Sequence, residues 1–100
     1  MIRGTTPTHV FTIPFDASLL SSARVVYKQG NKEILRKETE AFKMEGFQLS
    51  VTLTQEETLL FDDKASVKFQ LRVRTKAGKA LATPPMIVSV EECLDGEVLG

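Results

Sequence analysis

Between Ser66 and Arg74 the chain alternates without a break: Val67, Phe69, Leu71 and Val73 are apolar, while Lys68, Gln70, Arg72 and Arg74 are long and polar. Successive side chains of a strand point to opposite faces, so the run predicts a strand with one dry and one wet face. Phe47 to Thr54 repeats the rhythm, with Phe47, Leu49, Val51 and Leu53 set against small hydroxyl and amide groups, all of types that favour strands. Val10 to Phe15 does the same and turns Phe11, Ile13 and Phe15 inward. Pro14 cannot donate to a ladder, which predicts an edge strand there.

Turn chemistry joins these runs. Gly30-Asn31 lies between Arg24–Gln29 and Lys32–Glu38, and a two-residue loop led by glycine suits a hairpin. The resulting register sets Lys28 opposite Glu33, Tyr27 opposite Ile34 and Arg24 opposite Lys37, a repulsive last pair that calls for a bulge or splay. Glu45-Gly46 closes another hairpin ahead of Phe47, and Gly78 supplies a positive φ to a longer loop at Lys76-Ala77-Gly78. Strand character resumes at Ala80–Ala82 and Met86–Val90. Between them Pro84-Pro85 predicts either a change of sheet or a break at an exposed edge. Thr54-Gln55-Glu56-Glu57 has capping-box spacing, which predicts one helical turn near residues 55–60, with Leu59, Leu60 and Phe61 plugging the core. Strands at such spacing predict an all-β fold, an immunoglobulin-like antiparallel β-sandwich of about seven strands, as one domain over residues 1–100. The Cys...Trp...Cys set of true immunoglobulin domains is absent.

Apolar residues at 42% and charged residues at 26% are the ordinary globular mixture, and 13 basic side chains balance 13 acidic ones. That balance disfavours nucleic acid or anionic membrane as the main partner. With one cysteine the chain closes no internal disulfide and relies on its core. No apolar run approaches the roughly 20 residues that cross a bilayer, and the opening Met1-Ile2-Arg3-Gly4 has no signal-peptide character, so a soluble, untargeted protein is expected. One histidine and one cysteine make no zinc site. Asp62-Asp63 is read as a solvated turn, His9 as a surface histidine near a mobile N-terminus, and Cys93 as a half-buried small apolar side chain without an activating neighbour. No phosphate-cradling loop or nucleophile elbow occurs. Catalytic residues, metal ligands and cofactors are therefore expected to be none.

What remains is segregated charge. Lys64, Lys68, Arg72, Arg74, Lys76 and Lys79 occur with no acid among them, and from Ala80 to Gly100 Glu91, Glu92, Asp95 and Glu97 occur with no base. Lys68, Arg72 and Arg74 share parity on one strand and project together, with Lys76 in the adjoining loop. They are the candidate partner-binding face, and Glu91, Glu92 and Asp95 are its candidate complement. Three readings stay open: a nucleic-acid surface lacking interleaved aromatics, the ordinary wet side of a sheet, and a heterologous contact that builds rings or tubes.

Three stretches carry a resemblance: Met1-Ile2-Arg3-Gly4-Thr5-Thr6-Pro7-Thr8 followed by Phe11-Thr12-Ile13-Pro14-Phe15-Asp16, then Leu53-Thr54-Gln55-Glu56-Glu57-Thr58, then Gln70-Leu71-Arg72-Val73 leading into Gly78. Together the chain resembles small phage and prophage structural proteins, and is similar in pattern to the N-terminal domain of baseplate upper proteins. The resemblance implies an immunoglobulin-like sandwich that attaches to the tail hub and, in that family, precedes a helical stem and a receptor-binding part. It implies a non-enzymatic tail or baseplate-associated subunit or adaptor, found in the virion or in the host cytoplasm before assembly. Its partners would be other phage structural proteins, with homo-oligomers possible and no membrane. The alternative is a small nucleic-acid-binding or regulatory protein of a mobile element.

Overall fold

A computed structural model describes all 100 residues. The strands are β1 (Thr8–Thr12), β2 (Leu20–Gln29), β3 (Lys32–Lys37), β4 (Phe42–Glu45), β5 (Gln48–Thr52), β6 (Val67–Thr75), β7 (Ala80–Ala82) and β8 (Met86–Val88), and one helical turn, α1, spans Gln55–Thr58. They form two antiparallel sheets, one ordered β1-β5-β4, the other β3-β2-β6 with β7 and β8 both on the free edge of β6. In the strand letters of immunoglobulin domains these orders are B-E-D and C′-C-F-G, so the sandwich is immunoglobulin-like, without a first strand A.

Two kinds of connection build this order. Each hairpin turns at a glycine in the left-handed region, Gly30 at φ 60°, Gly46 at 57° and Gly78 at 89°, where a β-carbon would be strained. Each passage between sheets is made by a single helical turn: 3-10 turns at Ala17–Leu19 and Thr39–Ala41, and α1. Asp16 caps the first by accepting from the Ser18 amide at 2.8 Å. The Thr54–Glu57 capping box closes the third as its spacing predicts, with bonds of 3.2 and 2.8 Å. At the second, the Thr39 hydroxyl takes the place of a cap and ties the crossing to β2, accepting from the Ala23 amide at 3.1 Å.

The core lies between the sheets, with Phe11, Leu49 and Val51 from one meeting Val25, Tyr27, Val67, Phe69 and Leu71 from the other. Phe61 closes one end, fully buried, as expected. Leu60 does not join it and stands exposed, because the chain leaving α1 presents only one side inward. Phe47 also differs from expectation. It occupies the turn between β4 and β5 rather than the strand, and its ring is exposed.

The β2–β3 register is corrected by a bulge. Lys28 faces Glu33 as expected, but Tyr27 faces Leu35 rather than Ile34, and Lys37 faces Val25 rather than Arg24. The extra residue, Ile34, separates the two cations and gives each a carboxylate: Arg24 Nε meets Glu38 at 2.9 Å, and Lys37 Nζ meets Glu57 of α1 at 2.7 Å. Pro84-Pro85 takes the second of its two expected courses. β7 and β8 both pair with β6, so the last strand breaks at an exposed edge and keeps to its sheet. At the break the Thr83 hydroxyl accepts from the Leu71 amide at 3.2 Å, filling the place of a ladder carbonyl.

Candidate docking face

The wet face of the larger sheet is where the charges collect. Alternation along β6 sends Lys68, Arg72 and Arg74 outward, as expected, and Lys76 is exposed in the loop beyond. Pairing with β2 adds what one strand could not show: Lys28 lies directly opposite Lys68, and Arg24 directly opposite Arg72. Like charges in that position repel, by about 0.2–1 kcal/mol for a pair relative to neutral partners. Arg36 of β3 extends the row, opposite Val26.

Two carboxylates temper this field. Glu38 holds Arg24 as described, and Glu33 holds Arg36 at 2.8 Å, a bond that keeps the Glu33 carboxyl below its usual range. Lys28, Lys68, Arg72 and Arg74 form no ion pair. Between β2 and the end of β6 the surface dips into a shallow groove of about 220 Å³, lined by Ser22, Arg24, Glu38, Arg72, Arg74 and Ala80. Gly78 borders this region, and a β-carbon there would come within 3.7 Å of the Arg74 guanidinium. The opposite face of the sandwich is mixed: Thr8 and Thr52 share a hydroxyl bond of 2.8 Å, with Thr12, Gln48, Ser50 and an exposed Val10 beside them and Lys43 paired with Glu45 on β4.

The acidic complement is not brought to the basic face within one molecule. Glu91 accepts from the Met1 ammonium at 2.9 Å, which holds its carboxyl below the usual range, and Ser89 adds a bond of 3.2 Å. Glu92 and Asp95 are exposed, and Asp95 accepts from the Glu97 amide at 3.0 Å.

The expected surface histidine on a mobile N-terminus is overturned. The first residues are tied down: the Met1 ammonium donates to Ser89 O at 2.9 Å, and the Arg3 amide to Glu91 O at 3.1 Å. His9 is half-buried, stacked on Phe69 with centroids 5.1 Å apart, and its Nδ1 lies 2.7 Å from the Tyr27 hydroxyl. Burial holds the imidazole below its ordinary pKa, with the Met1 ammonium adding to the effect. Burial pushes the Tyr27 phenol up, helped by the charge of Glu57. Asp16 caps its 3-10 turn, so the carboxylate nearest His9 in sequence is engaged elsewhere. Cys93 is half-buried, its Sγ close to Gly4. Asp62 accepts from the Lys64 amide at 2.9 Å. No three His, Cys, Asp or Glu side chains cluster as metal ligands, and no helix is long and apolar enough to cross a membrane.

Arg24 and Lys28 of β2 and Arg36 of β3 are the members of the face that sequence reasoning missed. The parity of Arg24 and Lys28 on β2 was visible, but not which strand they lie beside. Beyond the molecule itself, no protein-family model matches this chain, and no curated protein matches it.

Proposed function

We propose that this protein is a structural subunit or adaptor of a phage or prophage particle, at the tail or baseplate, acting through protein contacts on the basic face of the larger sheet. The observation that carries the reading is the pairing of Lys28 with Lys68 and Arg24 with Arg72 across adjacent strands. Such pairs oppose folding, and Glu38 on Arg24 and Glu33 opposite Lys28 offset them only at the β2 side, so an anionic surface from outside would relieve Lys68 and Arg72. Ile87, 69% exposed and opposite Lys68, puts an apolar contact at the edge of the face, which suits a protein partner. The overall shape also suits assembly. The molecule measures 46 × 30 × 17 Å and exposes 6300 Å², against about 5,700 Å² for a compact monomer of this mass. A virion address and phage partners rest on the resemblance of the Arg3-Gly4-Thr5-Thr6-Pro7 opening and the stretches that follow it.

Charge reversal tests the reading. Arg72→Glu with Arg74→Glu is expected to abolish self-association or capture of tail proteins from an induced lysogen while the fold survives. Unchanged sedimentation and unchanged capture would remove it. The second reading, nucleic-acid binding, draws on the same four unpaired cations, Lys28, Lys68, Arg72 and Arg74. It predicts duplex or single-stranded DNA affinity that falls steeply with salt. The structural reading predicts no DNA binding at physiological ionic strength.

A further inference from the structure

The sandwich is open along one side, where the chain beyond β1 runs past β7. A cavity of about 200 Å³ lies there between Ile13, Pro14 and Phe15 on one wall and Leu71, Val73 and Leu81 on the other. It shares Phe15 and Leu81 with a wider hollow of about 520 Å³ bounded by Leu19, Lys76 and Lys79. The two make one apolar groove with a basic rim. Neither lysine ammonium has an ion-pair partner, and Asp16, next to Phe15, is engaged with the Ser18 amide.

The segment from Glu92 to Gly100 has the complementary character. Leu94 is 95% exposed and Leu99 76% exposed, and Glu92, Asp95 and Glu97 stand among them with no base. Its ties to its own fold are slight. Leu99 exchanges two backbone bonds with the Gln55 side chain, at 2.7 and 2.9 Å, while its own side chain and that of Leu94 face solvent.

Groove and segment sit at opposite ends of β6. Val88, shortly before the segment, pairs with Val67, the first residue of β6, whereas the groove is bounded by Thr75 and Lys76 at its last. A nine-residue strand spans about 30 Å, which separates groove and segment. A contact between surfaces at opposite poles is heterologous and propagates from copy to copy.

We propose that residues Glu92–Gly100 of one molecule dock in the groove between Ile13–Phe15 and β7 of a second, with Leu94 and Leu99 on its apolar floor and the carboxylates on Lys76 and Lys79. This deepens the assembly reading and rests on it, naming a second copy of the chain as the partner and the open side as the place. Apolar burial supplies the attraction, and the lysine rim sets direction and register.

Sedimentation velocity on the full chain tests it, with two variants altered only at exposed positions, Leu94→Asp/Leu99→Asp and Lys76→Glu/Lys79→Glu. The wild-type mass is expected to rise with concentration, and each variant is expected to associate at least about tenfold more weakly. Mixing the two variants restores one intact segment and one intact groove, so the mixture is expected to form a two-chain complex and stop there. A wild type that stays monomeric at every concentration overturns the proposal, as does a variant that associates like wild type or a mixture that stays monomeric. Arg72→Glu/Arg74→Glu separates the two readings. Association that survives it but not the groove variants removes the basic face and keeps the groove, and the reverse pattern removes the groove and keeps the face.

Discussion

The Glu57 carboxylate accepts from the Thr54 amide at 2.8 Å and from the Lys37 ammonium at 2.7 and 2.9 Å, so one side chain closes α1 and clips it to β3. Burial alone would push that carboxyl up, but the bonds from Lys37 and Thr54 outweigh it and hold it below the ordinary range. Its contribution to stability is therefore full above the ordinary value of 4.5 and lost as pH falls below it. Glu57→Gln is expected to cost about 2 kcal/mol in urea unfolding at neutral pH, and to flatten the loss of stability on acidification. His9 carries the opposite kind of pH dependence from the usual partnered histidine. Its folded pKa lies below the ordinary 6.5, so protonation favours the unfolded chain and stability falls as pH drops from 6.5 toward the folded value. Denaturation midpoints between pH 7.5 and 5.5 are expected to decline in the wild type and to stay level in His9→Gln. A wild type equally stable across that window would show the imidazole to be freely solvated. The capping box was legible because it is local. His9 differs from its sequence expectation because alternation with Phe11 and Ile13 turns it inward, and the tied-down first residues hold it there against Phe69 and Tyr27.

Strands and hairpins were legible for the same reason: period-two alternation and glycine turns are written in consecutive residues. The bulge at Ile34 was not, because what stabilises it is two carboxylates remote from that turn, Glu38 for Arg24 and Glu57 for Lys37. At Pro84-Pro85 both courses were open, and the side chain of Thr83 shows how the break is accommodated. Thr83→Val keeps the shape but leaves the buried Leu71 amide without its acceptor. It is expected to cost about 1–3 kcal/mol, and to speed hydrogen exchange at Leu71 well beyond any change at Leu49 in the other sheet. Exchange at Leu71 equal to wild type would mean that water replaces the hydroxyl there.

On the scale of the molecule, net neutrality conceals a basic face on one sheet, a mixed face of hydroxyls, Val10 and a Lys43–Glu45 pair on the other, and an acidic segment beyond the start of β6. The segregation along the chain was legible, and Lys68, Arg72 and Arg74 do share a face. What could not be read was that β2 would bring Arg24 and Lys28 against them, because β2 and β6 are joined by no turn and their pairing depends on the whole topology. That juxtaposition makes the face a cost to folding, which is what the proposed docking role rests on. Replacing Lys68 and Arg72 together by threonine, which suits a strand, removes both repulsive pairs and leaves the Arg24–Glu38 bond in place. The most direct measurement is the urea unfolding free energy of Lys68→Thr/Arg72→Thr at low salt. A gain of about 0.5–1 kcal/mol over the wild type is predicted, and a variant less stable than the wild type would contradict the account.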